Sequence, residues 1–164
     1  CFPRDCKAFY KMGDRLGLEL PLQKVNDVFN KDHNSYVVKD AMKGLSKDAT
    51  TVALLGVSFK PNTPIITESP AIQMAKVLDT FGYNVKAYDP QGKMGKVKMC
   101  ESIEECLSGS DLAIIVTPWN QFKALKPNDF KIMRNPYVYD CWRLLNRRCF
   151  ENSGVKYKAL GVND

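Results

Sequence analysis

Residues 51–90 read TVALLGVSFKPNTPIITESPAIQMAKVLDTFGYNVKAYDP, and this stretch decides the fold. It opens on an apolar run, TVALLGV, rich in β-formers and without polar alternation. That is the pattern of a strand buried on both faces. SPAIQMAKVLDTFG then reads as a helix. Ser69 is a suitable cap, Pro70 fits the first turn and Gly82 ends it. Ile72, Ala75, Val77, Leu78 and Phe81 give it an apolar stripe. VKAYDP is a second strand. A strand, a helix and a strand in this order make a βαβ unit.

The same alternation continues downstream. SIEECLSGS is a short helix with acids in its first turn, DLAIIVTP a buried strand, and YVYDC and VKYKALGV two further strands, with a short helix around NRRCFENSG. Upstream the pattern is helical. CKAFYKMGDRLG stops at Gly17, and PLQKVNDVFNKDHNSYVVKDAMKGL starts at Pro21 and ends near Gly44. The expected architecture is α/β: a Rossmann-like parallel sheet flanked by helices, preceded by a small helical segment. The expected division is 1–47 and 48–164. The apolar residues Val25, Val28, Phe29, Val37, Val38 and Met42 are expected to leave residues 1–45 adhesive in isolation.

Composition narrows the function classes. The chain has 164 residues, 45% apolar and 26% charged, enough for one core with an appendage. No apolar run approaches the ~20 residues of a membrane span. The net charge is +6, but the lysines are dispersed, and the densest cluster, KMGKVK, has no interleaved aromatics. It reads as solvated surface rather than a nucleic-acid patch. The six cysteines form no C-x-x-C pair and the one histidine, His33, lies far from them, so no metal site is expected. A chain of this size needs no disulfides, and a reducing, cytoplasmic setting is expected.

Ligands of open α/β sheets bind beyond the carboxyl ends of the strands. Here those ends lead into SFKPNTP, DPQGK, TPWNQF and CWRLLN, which supply Lys60, Thr117, Trp119 and Arg143, with Phe59 and Trp119 as apolar surfaces. Two cations and two aromatics suit a phosphate-bearing ligand with a flat base. The same aromatics could simply seal the sheet edge. No G-x-G-x-x-G and no G-x-x-x-x-G-K-[ST] occurs.

GVSFKPNTPIITESPAIQMAKVLDTFGYNVKAYDP resembles the signature of the UDP-glucose/GDP-mannose dehydrogenase family, in which a strand ends in G-x-x-F-K-x-x-T and leads through E-S-P-A to Y-D-P. SGSDLAIIVTPWNQF resembles the family's next strand, YVYDCWRLLN its D-x-R segment, and CFPRD its catalytic C-F-P-K/R-D. The resemblance implies the C-terminal part of a longer enzyme. Residues 1–47 would end a central helical dimerisation domain, and 48–164 would form the UDP-sugar-binding domain. It implies an NAD-dependent nucleotide-sugar 6-dehydrogenase of polysaccharide biosynthesis, most like those acting on UDP-glucose, with NAD bound mainly by an N-terminal domain and a homodimeric assembly.

Residue by residue, the resemblance puts Cys1 at the thiol nucleophile and Asp5 at the carboxylate assisting hydrolysis. Phe59, Lys60 and Arg143 fall on nucleotide-sugar positions. Thr67 falls where the family has a cofactor-side arginine, whose charge threonine does not replace. The alternative is a nucleotide-sugar-binding module, or a divergent member of the N-acetyl-hexosamine or GDP-mannose type, without redox activity. The chain alone is expected to have no dehydrogenase activity.

Overall fold

The computed structural model describes residues 2–162. Two helices come first, α1 (Phe2–Arg15) and α2 (Pro21–Met42), followed by β1 (Thr51–Leu55), α3 (Pro70–Thr80), β2 (Asn84–Tyr88), β3 (Lys98–Met99), α4 (Ile103–Leu107), β4 (Leu112–Ile115), α5 (Asn120–Lys123), β5 (Tyr137–Asp140) and β6 (Lys156–Ala159). All six strands are parallel, in the order β3-β2-β1-β4-β5-β6. This is the doubly wound order, and it reverses between β1 and β4.

Alternation along the central strands builds two cores. Val52 and Leu54 of β1, with Leu112 and Ile114 of β4, face α2 and α3. Ala53 and Leu55, with Ala113 and Ile115, face α4, α5 and the 3-10 turns at 127–132 and 147–149. Successive residues of a strand point to opposite faces, and here both faces are covered, so the strands need no polar positions. α3 starts as its sequence indicates, with the Ser69 hydroxyl accepting from the Ala71 N–H at 3.3 Å.

The structure also departs from the sequence reading. β3 has only two residues, too few for a hydrophobic pattern. The helix expected around 146–154 is a single 3-10 turn, Arg147–Cys149. α2 divides along its length. Leu22, Val25, Val28 and Phe29 are exposed, whereas Val37, Val38 and Ala41 are fully buried against the sheet. Half of the expected adhesive stripe therefore belongs to the α/β core. Asp40 fastens this end: its carboxylate accepts from the Tyr139 hydroxyl at 2.8 Å and pairs with Lys158 at 3.1 Å. Whatever division is drawn near residue 47, the last turns of α2 pack with the sheet. Among the described residues, no helix is long and apolar enough to cross a membrane, and no cluster of three potential metal ligands occurs.

Candidate functional site

The loops after β1, β2, β4 and β5 all leave the carboxyl edge of the sheet, and one buried carboxylate organises three of them. Asp89, just past β2, accepts from the N–H groups of Val57 (2.7 Å) and Ser58 (2.9 Å) in the β1 loop, and from the Ser58 hydroxyl at 2.8 Å. It also accepts from the N–H groups of Gln91 (2.9 Å) and Gly92 (2.6 Å) in its own loop. From the β4 loop it receives the Trp119 indole N–H at 3.1 Å. Burial alone would raise this carboxyl, but the backbone donors of Gly92, Ser58, Gln91 and Val57 outweigh it and hold its pKa below the ordinary value.

The β1 and β4 loops are joined directly as well. The Thr117 hydroxyl donates to the Ser58 carbonyl at 2.7 Å. Gly56 lies so close to Thr117 that a Cβ there would stand 2.4 Å from the threonine Cβ. The β5 loop is tied in by Trp142, whose indole N–H donates to the Val116 carbonyl at 2.8 Å. Asp140, fully buried at the end of β5, accepts from the N–H groups of Trp142 and Leu145, both at 2.9 Å, and from the Tyr157 hydroxyl at 3.0 Å. Between these anchors Arg143 adopts φ +54°, a left-handed conformation unusual for arginine.

On this rigid base Phe59, Lys60, Trp142 and Arg143 are exposed. Neither Lys60 nor Arg143 forms an ion pair among the described residues. Two aromatic rings and two cations are thus presented outward from loops whose backbones are fixed by buried carboxylates. The arrangement suits an anion bearing an apolar or flat portion.

Thr117 and Trp119 play a different part from the one their position suggested. Both are buried and spend their polar atoms on Ser58 and Asp89, so they build the base of the edge. Of the two tryptophans at this edge, the open one is Trp142, 55% exposed. Asp89 organises the edge although neither the charge nor the aromatic content of the loops marks it. Its signal in the sequence is the acid of YDP at a strand end, since a carboxylate there meets the free N–H groups of neighbouring loops.

The other expected positions make none of these bonds. Asp5 is exposed in the first turn of α1 and pairs with Arg4 at 3.2 Å. Its neighbour Cys6 accepts from Asn26 of α2 at 3.1 Å, and Asn26 precedes the sheet-packed Val37 by about 16 Å of helix. No hydrogen bond among the described residues brings Asp5 to the sheet-edge loops. Cys1 lies outside the described residues. Thr67 is exposed in the turn before α3, beside Glu68 at φ +59°. Cys100 and Cys106 are buried, in a core role.

Residues 53–147 match the UDP binding domain of the UDP-glucose/GDP-mannose dehydrogenase family. The chain belongs to this family. It is 27% identical to a UDP-glucose 6-dehydrogenase of Rhizobium meliloti over 173 residues, covering 100% of the chain and 40% of that relative. It is 30% identical to one from Bacillus subtilis over 175 residues, covering 98% of the chain and 39% of the relative. Among solved structures, a UDP-glucose dehydrogenase from the hyperthermophilic archaeon Pyrobaculum islandicum aligns with a TM-score of 0.75 at 28% identity, over 96% of this chain and 36% of that one. The chain spans about 40% of the length of the curated relatives it matches. The span matched to the family's UDP binding domain runs from β1 to the loop after β5, so it takes in all four carboxyl-edge loops.

Proposed function

We propose that residues 48–164 form the nucleotide-sugar-binding domain of an NAD-dependent UDP-sugar 6-dehydrogenase that converts UDP-glucose to UDP-glucuronate. The observation that carries this reading is that Lys60 and Arg143 are both exposed, with no ion pair among the described residues, on carboxyl-edge loops that Asp89 and Asp140 anchor. Lys60 offers a point charge and Arg143 a planar fork to the diphosphate, and Phe59 and Trp142 offer faces to the base or sugar.

In this proposal Cys1 supplies a thiol that adds to the sugar aldehyde carbon to give a thiohemiacetal, whose carbon would become a thioester by giving up a hydride to NAD, and Asp5 accepts a proton from the water that then cleaves the thioester, with the thiolate leaving. NAD does not fit the loop after β1. The bare face of Gly56 is filled by Thr117, and the α3 N-terminus is capped by its own Ser69 hydroxyl, so neither is open to a pyrophosphate. NAD is therefore assigned to a part of the protein outside this chain, and the chain by itself turns over no UDP-glucose. Homodimerisation through the helical segment belongs to the same proposal. A second reading, a binding module without redox chemistry, is favoured by Thr67, an exposed neutral side chain where the family signature has an arginine.

The test is titration of the isotope-labelled chain with UDP, followed by amide chemical shifts. Saturable shifts are expected at 57–63 and 140–144, and Lys60→Ala combined with Arg143→Ala should abolish them. Shifts scattered over the lysine-bearing surface and unchanged in the double variant would sink the site assignment.

A further inference from the structure

A groove of about 800 Å3 lies away from the carboxyl edge. Thr51 and Asn84, the first residues of β1 and β2, line it, as does Gly109 just ahead of β4, so it opens toward the amino-terminal edge. Its origin is topological. Parallel neighbours are ordinarily joined by a dozen or more residues that include a helix. β2 and β3 are parallel, yet residues 89–97 connect them without one. On this face the layer runs through α2 and α3 and then stops, and the space a crossover helix would fill stays open.

The floor is apolar: Ile72 and Ala75 from α3, Tyr83 and Val85 at the start of β2, and Met94 and Val97 from the connection. The rim is cationic, with Lys76, Lys86, Lys96 and Lys98 against one carboxylate, Asp79. Lys98 is paired with Glu105 at 3.4 Å, and Lys86 donates to the Ser108 carbonyl at 2.6 Å. Lys76 and Lys96 have no ion pair among the described residues, and Lys96 is held at φ +66°.

We propose that this groove is a second binding site, separate from the carboxyl-edge site, for an organic anion: a phosphate or carboxylate head on an apolar or aromatic body of about nucleotide size. The volume falls within the ~300–1,000 Å3 of small-molecule sites. The Lys76 and Lys96 ammonium groups, which no ion pair engages among the described residues, reject cations and draw an anionic head as point charges. The neutral hydrogen-bonding side chains of the lining are Thr51, Tyr83 and Asn84, at the starts of β1 and β2, and a bare inorganic ion leaves the apolar floor unused. An apolar body gains by leaving water.

The full chain, isotope-labelled, would be titrated separately with inorganic phosphate, AMP and decyl phosphate. Saturable amide shifts at 72–86 and 94–98 are expected with AMP or decyl phosphate, and none with inorganic phosphate. The member of the pair that binds more tightly tells an aromatic body from an alkyl one. Lys76→Glu with Lys96→Glu, both exposed, should weaken that binding about tenfold or more. Their thermal unfolding should match the parent, and any UDP response at 57–63 should persist. No saturable shift in the groove with either organic phosphate overturns the proposal. So does equal response to inorganic phosphate, or affinity unchanged in the folded double variant.

Discussion

The Trp119 indole N–H donates to Asp89 Oδ2 at 3.1 Å, and this bond joins the end of β4 to the end of β2 across β1, which lies between them. Asp89 is therefore expected to govern stability and loop geometry together. Asp89→Ala leaves several buried donors without a partner and should cost ~3 kcal/mol or more. Trp119→Phe leaves one acceptor lone pair unmet and should cost about 1 kcal/mol. Urea unfolding of the two variants checks the ratio. Equal, small losses would show that solvent reaches this carboxylate and that the loops do not depend on it.

The sheet was legible in the sequence because its strands are buried on both faces and their helices carry caps. TVALLGV and DLAIIVTP leave no alternative period, and Ser69-Pro70 marks a helix start. The two-residue β3 was not legible, because its pairing is imposed by the neighbouring β2 rather than by its own side chains. Lys60 and Arg143 were legible as charges following strand ends. Which aromatics open outward was not. Trp119 and Trp142 both follow strands, and only the three-dimensional position of Asp89 turns one inward while Val116 holds the other at the edge.

The exposed half of α2 should drive self-association. Leu22, Val25, Val28 and Phe29 are each more than half exposed, and Met12 and Leu16 of α1 extend the apolar surface. Sedimentation velocity is expected to show concentration-dependent dimers or larger species. Val28→Lys with Phe29→Lys should shift the chain to monomer without lowering its thermal midpoint, because neither side chain is in the core. A parent chain that stays monomeric at high concentration would contradict this.

Acid should unfold the protein through three buried carboxylates. Burial would raise Asp111, but Arg134, the N–H groups of Thr50 and Thr51, and Asn135 hold it well below the carboxylate range. Asp40 is likewise raised by burial but lowered further by Tyr139, Lys158 and Lys43, and Asp89 is lowered by its backbone donors. Each folded value lies below the unfolded one of about 3.9, so the unfolded chain takes up protons first as pH falls. Their stabilisation is complete above that value and is lost as pH drops through the folded values. The urea midpoint should be nearly level from pH 7 to about 5.5 and fall steeply below pH 4. Asp111→Asn should lower the midpoint at pH 7 and flatten the acid limb. An acid limb as steep in that variant as in the parent would remove Asp111 from the account.

Gly56 and Gly109 both have positive φ, +96° and +69°, yet alanine at the two positions should have different effects. At Gly109 a Cβ meets nothing within 4 Å, so only the backbone conformation is penalised, about 1–2 kcal/mol. At Gly56 the new Cβ would lie 2.4 Å from the Thr117 Cβ and 2.7 Å from the Thr117 backbone nitrogen. The ends of β1 and β4 would have to separate, straining the Thr117–Ser58 bond and the Asp89 contacts beyond it. Overpacking of this kind adds ~1–3 kcal/mol to the conformational penalty. Gly56→Ala should therefore lower the urea midpoint clearly more than Gly109→Ala, and amide shifts should spread through 56–60 and 116–119. Thr117→Gly should rescue it only in part, because the 2.7 Å contact is with backbone that the truncation leaves in place. Full rescue would show that the threonine side chain alone fixes the spacing of these two strand ends.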